Sequence, residues 1–280
     1  MQRDLGHVGT VAEVACATAG SVARMPRVVR FNVTPVKSTQ LHHPEELRLD
    51  EGGPVGDREF FFVDGDGKRF SGATKAPIIP IRSAYDAERD HLELALPNGV
   101  VVSGTPDVTD EALVVNFYGR PVPAHIVGGP FEDALTEYAG HPLRLAKPDR
   151  HGEALDVRPV TLVSLESVAE LAQQGGHESE LSPARFRMTI ELEGVAAAHE
   201  EDTWRLRRVR LGEAVLLIED PVPRCVVTTL DPVTAKRDFS TLKVIKDYRG
   251  ISADGDLDFG VYGSVIEPGT VRVGDELELL

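Results

Sequence analysis

Cysteine is nearly missing from this chain: 280 residues carry two, Cys16 and Cys225. Two thiols cannot build a disulfide framework, nor a four-thiolate iron–sulfur or zinc centre. A reduced, cytoplasmic setting is the expectation. Positive charge is also short, since 30 Lys+Arg against 45 Asp+Glu leave a net charge of -15. That balance argues against a nucleic-acid partner, whose phosphates need clustered Lys and Arg. It argues equally against electrostatic docking on an anionic membrane. A small anionic ligand stays open, because a local cluster of cations suffices and mean charge cannot see one. No apolar run approaches the ~20 residues of a membrane helix. The leading segment is interrupted by Asp4 and Glu13, and its stretch VAEVACATAG is weakly apolar. It makes a poor secretory signal. Residues 1–24 are therefore expected to be a flexible, dispensable extension, with Met25 just before the first convincing strand. Also missing are a Gly-x-Ser-x-Gly elbow, a dinucleotide Gly-x-Gly-x-x-Gly and the glycines of a P-loop. His42-His43 has no partners at metal-ligand spacing, and the Asp-Gly clusters at 64–67 and 254–258 depart from a calcium loop.

What is present is ordinary globular composition, with 41% apolar and 27% charged residues. The length suits one large domain or two small ones, with a core that needs no staples. Short β-prone runs dominate. RVVRFNV (27–33) predicts a strand, and GDREFFFVDGDGKRF (56–70) a hairpin about Asp64–Gly67. HLELALPNGVVVSG (91–104) predicts another hairpin, and ALVVNFYG (112–119) a strand. PFEDALTEYAG (130–140) reads as a helix with Pro at its start and Gly at its end. RPVTLVS (158–164) predicts a strand entering a helix capped by Ser164, whose body LESVAELAQQ has helical apolar spacing. RFRMTIELEG (185–194), RRVRLG (207–212), AVLLIED (214–220) and CVVTTLD (225–231) read as strands, and 259–280 as a closing hairpin about Pro268-Gly269. The fold class expected is mainly β, in two parts dividing near 140–155.

Four groups of residues carry chemistry. In PVPRCVVTTLDP (221–232), Cys225 follows a proline-stiffened loop and neighbours Arg224, a cation that favours thiolate over thiol. A thiolate serves as metal ligand or nucleophile, although a lone cysteine is more often a small buried hydrophobe. In VTPVKS (33–38), a rigid turn presents Lys37 and Ser38, a point charge beside a hydroxyl that suits phosphate or carboxylate. Arg58 follows Gly56-Asp57, and strand alternation places Arg185 and Arg187 on one face as a candidate anion clamp. For each cation the plainer alternative is a solvated side chain.

Taken in order, VTPVKS (33–38), GPVGDREFFFVDGDG (53–67), LVSLESVAEL (162–171), ARFRMTIELEG (184–194), EEDTWRLRRVRLGE (200–213), PRCVVTTLDPVTAKRD (223–238) and FGVYGSVIEPGTVRVGD (259–275) resemble the MOSC (molybdenum cofactor sulfurase C-terminal) family. They look most like its two-part members, which include amidoxime-reducing components and bacterial reductases that detoxify N-hydroxylated bases. The resemblance implies a MOSC N-terminal β-barrel-like domain at 25–148 and a MOSC barrel at 149–280, with the pterin molybdenum cofactor between them. It implies that Cys225 is metal ligand and catalytic residue. It assigns cofactor contacts to Lys37, Ser38, Arg58, Ser164, Ser167, Arg187 and Arg224. The implied activity is reduction of small N-hydroxylated substrates with electrons from an external reductase or ferredoxin-like donor. The alternative is a sulfur-carrier or cofactor-delivery protein using a Cys225 persulfide, without turnover. Pyridoxal phosphate binding is a further association of the family. Three departures stand out: Met188-Thr189 replaces the family's Pro-Asn, Val222 stands where many members have a second cysteine, and an arginine after the first hairpin is replaced near Thr74-Lys75.

Overall fold

The computed structural model describes residues 25–72, 78–177 and 179–280. The leading extension and the Thr74-Lys75 departure fall outside them. The fold is mainly β, with three short α-helices among the described residues and a nearly closed barrel-like sheet. Seven strands form that sheet in the order Arg27–Phe31, Ile190–Glu193, Val160–Ser164, Asp258–Glu267, Ala214–Pro223, Arg208–Leu211, Leu277–Leu279. A bridge between Arg27 and Glu276 joins its two ends. Closure removes exposed edges and encloses a core of Phe31, Leu162, Ile190, Leu192, Trp204, Leu216 and Val261.

A five-stranded sheet (Arg69–Phe70, Phe61–Asp64, Leu143–Pro148, Arg120–Val127, Val108–Phe117) and a three-stranded one (Arg82–Asp86, His91–Ala95, Val101–Gly104) build the other part. The run EFFFV shows how strand alternation divides its residues between cores. Phe60 and Phe62 enter a cluster with Ile78, Leu92, Leu94 and Leu145, while Phe61 and Val63 enter one with Val115 and Phe117. Both faces are buried over Phe60 to Val63, so that stretch is apolar throughout. Helix Phe131–Ala139 adds Phe131 and Leu135 and ends at left-handed Gly140.

The chain order does not divide as simply as its sequence suggests. Strand Arg27–Phe31 pairs with Ile190–Glu193, and Glu46–Asp50 pairs with Gly269–Arg272. The first strands thus hydrogen-bond into the second half, across the expected boundary near 148. The same pairing overturns the closing hairpin: Gly269–Arg272 turns away from Asp258–Glu267 to join Glu46–Asp50.

Two further strands are corrected. Within 185–194 only Ile190–Glu193 is extended; Pro183–Phe186 is a 3₁₀ turn and Arg187 is left-handed. Residues 226–229 form a second 3₁₀ turn in place of a strand. Their β-branched side chains favour extension, but the Thr228 and Thr229 hydroxyls donate back to the Cys225 and Val226 carbonyls at 3.0 and 2.7 Å. Such local bonds compete with a ladder. Helix Thr241–Arg249 had no signal in the sequence reading and packs Ile245 against the same core as helix Leu165–Gln174. The latter is as expected, capped by Ser164 and burying Val168, Leu171 and Ala172.

Candidate functional site

Three loops meet at a cleft of about 310 Å³ where the two parts face each other. The first is the Val33–Ser38 turn. Val36 anchors it in the core, the Lys37 amide donates to the Phe60 carbonyl at 2.8 Å, and Ser38 takes φ 76. The second carries Arg58 (φ 52), whose amide donates to the Thr34 carbonyl at 2.6 Å. Buried Asp57 accepts from the Thr34 amide at 2.7 Å and pairs with the Arg58 guanidinium. The third is the left-handed Arg187 (φ 55), whose Nη2 donates to the Thr39 carbonyl at 2.7 Å. Arg58 Nη2 donates to the Arg187 carbonyl at 3.3 Å, tying the second loop to the third.

Cys225 lies on the opposite lip. It is exposed and free, in extended conformation at the head of the 226–229 turn. Arg224 beside it is clamped by its own amide on the Leu257 carbonyl at 2.8 Å. Its guanidinium reaches the Phe186 carbonyl and Met188 Sδ and lies 5.3 Å from the Phe186 ring centre. Met188, one of the residues that departs from the family pattern, is therefore a support for Arg224. Thr189, the other, bonds to Thr161.

The cleft thus brings together Lys37, Ser38, Arg58, Arg187, Arg224 and Cys225. It does not include Ser164 and Ser167. Both hydroxyls donate to buried Glu201, at 2.9 and 2.7 Å, and Ser167 Oγ accepts from the His199 amide at 2.8 Å. Their polar atoms are spent on capping a helix and holding a carboxylate, whose own pKa is pushed up by burial. Sequence reasoning missed Arg69, Tyr118, Asp156 and the cleft role of Arg185. Tyr118-Gly119 is a hairpin turn that was read as the end of a strand, and Asp156 sits in a run, ALDVRP, with no periodicity. Arg185 is not paired by alternation with Arg187. It is buried and bidentate to Asp238 at 3.2 and 2.9 Å, with a third bond to the Thr228 carbonyl at 3.1 Å, so it braces the Cys225 turn from behind.

Charge in the cleft is uneven. Lys37 Nζ donates to Asp156 Oδ1 and to the Ala154 carbonyl, both at 2.8 Å, and Tyr118 Oη donates to the same carboxylate at 3.0 Å. Burial draws the Lys37 ammonium down to about 8, against the pull of Asp156. Lys37, Arg58 and Tyr118 hold Asp156 well below the usual carboxylate range despite burial. Arg187 and Arg224 differ: among the described residues no carboxylate lies within salt-bridge distance of either. Burial, with Arg58 nearby, lowers Arg187 to about 10, and burial lowers Arg224 as well. Arg224 Nε is buried without a hydrogen-bond partner. Desolvated cations without a carboxylate at salt-bridge distance fit an anionic ligand. A larger groove of about 790 Å³ along helix Leu165–Gln174 is lined without any Lys or Arg. Among the described residues no group of three or more His, Cys, Asp and Glu could hold a metal ion, and no helix is long and apolar enough to cross a membrane.

The MOSC domain model matches residues 147–278. Mitochondrial amidoxime-reducing component 1 of Mus musculus is 32% identical over 257 residues, covering 81% of this chain and 73% of that protein. Mitochondrial amidoxime reducing component 2 of Bos taurus is 34% identical over 128 residues, covering 43% of this chain and 36% of that one. The solved YUAD protein of Bacillus subtilis aligns over 91% of this chain and 96% of its own at 16% identity, with a TM-score of 0.42. With the domain match over its second half and the mouse relative matched across most of both chains, the protein belongs to the MOSC domain family.

Proposed function

We propose that this protein binds molybdenum cofactor in the Cys225 cleft and reduces N-hydroxylated compounds with electrons from an external donor. The observation that carries the reading is the meeting of one exposed thiol with Arg187 and Arg224, two desolvated arginines without a carboxylate at salt-bridge distance. The donor set fits the group. A single protein sulfur offers one ligand only, so the metal's other ligands must come from an organic carrier, and the arginines match that carrier's phosphate. Arg187, Arg224, Arg58 and Lys37 would hold the anionic part, and Cys225 Sγ the metal. When bound, the cofactor supplies two-electron redox chemistry at an oxygen atom. The overall change consumes two electrons from the donor and two protons, turning N–OH into N–H plus water. Lys37 Nζ, protonated at neutral pH and bonded to Asp156, holds a proton inside the cleft, and Tyr118 Oη holds a second on the same carboxylate.

The test is metal analysis of protein made in a host that synthesises the cofactor, followed by N-hydroxy reduction with a supplied reductase. Near-stoichiometric molybdenum, lost in Cys225→Ala and reduced in Arg187→Ala, is expected. Molybdenum that is absent, or unchanged in Cys225→Ala, would remove the reading. A second reading, sulfur transfer through a Cys225 persulfide, is favoured by the exposure of that thiol. Intact-mass detection of a labile sulfur adduct on Cys225, with no N-hydroxy reduction, would select it.

A further inference from the structure

Lys37, Arg58, Arg187 and Arg224 come from loops around Cys225, but one cation reaches the cleft from elsewhere. Arg69 lies in strand Arg69–Phe70, at the edge of the five-stranded sheet. Its guanidinium stands 4.4 Å from the ring centre of Tyr118 and 5.0 Å from that of Phe117. Tyr118, in turn, is held at a hairpin tip (φ 54) by its hydroxyl bond to Asp156. The rings fix the guanidinium in place. A stacked guanidinium keeps its N–H edge for a planar or tetrahedral oxyanion, which an ammonium cannot match.

The Tyr118 hydroxyl meets part of that edge, and no negative charge pairs with it among the described residues. Among the described residues no carboxylate lies within salt-bridge distance of Arg69. Asp156, the one carboxylate lining the cleft, is committed to Lys37 and Tyr118. The charge of Arg69 is also felt at Lys37, where it disfavours the ammonium. An anion at Arg69 therefore gains a charge-assisted bond and relieves a repulsion.

We infer that Arg69, positioned by Tyr118, is a subsite for an anionic substituent, carboxylate or phosphate, on the substrate of this cleft. The inference rests on the proposed reduction of N-hydroxylated compounds and narrows their class. Substrates bearing an oxyanion are preferred to their neutral counterparts, even though the chain as a whole is acidic.

The experiment compares kcat/KM of the molybdenum-loaded protein, with a supplied reductase, for two pairs: benzamidoxime and 4-carboxybenzamidoxime, and N4-hydroxycytidine and its 5′-monophosphate. The pairs separate carboxylate from phosphate as the preferred group. The charged member of at least one pair is expected to be favoured about tenfold, the size of one charge-assisted hydrogen bond, and less so at high salt. Arg69→Ala should collapse that ratio, mainly through KM, and Arg69→Lys should restore part of it. An unchanged ratio in Arg69→Ala, or no preference in the native protein, overturns the subsite. Loss of molybdenum from Arg69→Ala also overturns it, because the arginine then serves the cofactor. Binding of cytidine and cytidine 5′-monophosphate by calorimetry needs no turnover. A tenfold preference for the phosphate that Arg69→Ala abolishes, with no reduction of any N-hydroxy compound, upholds the subsite and refutes the reaction. Turnover without any preference does the reverse.

Discussion

Asp156→Asn isolates one charge at the centre of the cleft. Asparagine keeps an oxygen for the Tyr118 hydroxyl and removes only the anion facing Lys37. Lys37 is 8% exposed, and its ammonium is drawn from 10.5 to about 8 even with Asp156 in place. At 1.36 kcal/mol per unit, the fold already bears about 3 kcal/mol for keeping that ammonium charged. Removing the partner of a buried pair costs ~3–5 kcal/mol. The Asp156 side chain is 35% exposed, and water screening brings the expected loss to about 2–3 kcal/mol. The variant should therefore melt roughly 3–5 °C below the native protein. The pH profile fixes the cause. Lys37 is lowered on folding, so its cost is complete below about pH 8 and fades as pH rises from there towards 10.5, where stability increases. Asp156 is lowered on folding too, so its contribution is complete above the unfolded value of about 3.9 and is lost as pH falls below it. Without Asp156 the Lys37 ammonium falls further below its native value of about 8. The deficit of Asp156→Asn should therefore be largest just above about pH 4, shrink as pH rises towards 8, level off above 8, and shrink again below about pH 4. Urea unfolding at a series of pH values measures it. The double variant Lys37→Met/Asp156→Asn should recover at least half the loss. A deficit under about 0.5 kcal/mol at pH 7, or one that grows above pH 8, would refute the electrostatic account of this pair.

Ser167→Ala removes a donor from Glu201 and an acceptor from the His199 amide. It should cost about 2–3 kcal/mol in urea unfolding and leave molybdenum content at the native level. Gly152→Ala adds a Cβ 2.2 Å from the Gly52 carbonyl oxygen at φ +83, so a thermal melt should show a loss of at least ~2 kcal/mol. Gly176→Ala, at φ +64 with open space around it, should lose only about 1 kcal/mol. Arg185→Lys breaks the bidentate bond to Asp238 and the brace on the Thr228 carbonyl. Stability should fall by about 2 kcal/mol, and alkylation of Cys225 should run at an altered rate as its turn loosens.

Strong local patterns were legible in the sequence, and pairings over long separations were not. The hairpin at 61–70 and the helix at 165–174 follow from turn chemistry, capping and apolar spacing inside short windows. Arg27–Phe31 was readable as a strand, but its partner lies more than 150 residues on, and no local pattern encodes that. The 226–229 turn was misread because β-branched residues report extension, while the deciding bonds are made by their hydroxyls to the backbone. For the cleft, residue type was enough to nominate Cys225 and the cations next to prolines and glycines. Arg69 and Tyr118 escaped because nothing marks a cation or a ring on a hairpin until the two parts are set face to face. A serine-bearing helix start such as that of Ser164 and Ser167 is the same in sequence whether it faces a ligand or a buried carboxylate, and here both hydroxyls bond to Glu201.

The backbone of the cleft also explains what holds its cations in place. Ser38, Arg58 and Arg187 are all left-handed, a conformation that costs a residue with a Cβ ~1–2 kcal/mol and that glycine adopts freely. Glycine at any of them would lower the local cost and remove the polar side chain. The strain persists because each loop is over-determined by its neighbours. Arg58 is pinned through its amide to Thr34, Lys37 through its amide to Phe60, and the Phe60 amide returns to the Pro35 carbonyl. Arg187 is then fixed from both ends, donating to the Thr39 carbonyl and accepting from Arg58. Strain held this way and gathered at one cleft marks a site organised before binding. A ligand entering it meets guanidinium groups whose ordering entropy was spent when the chain folded.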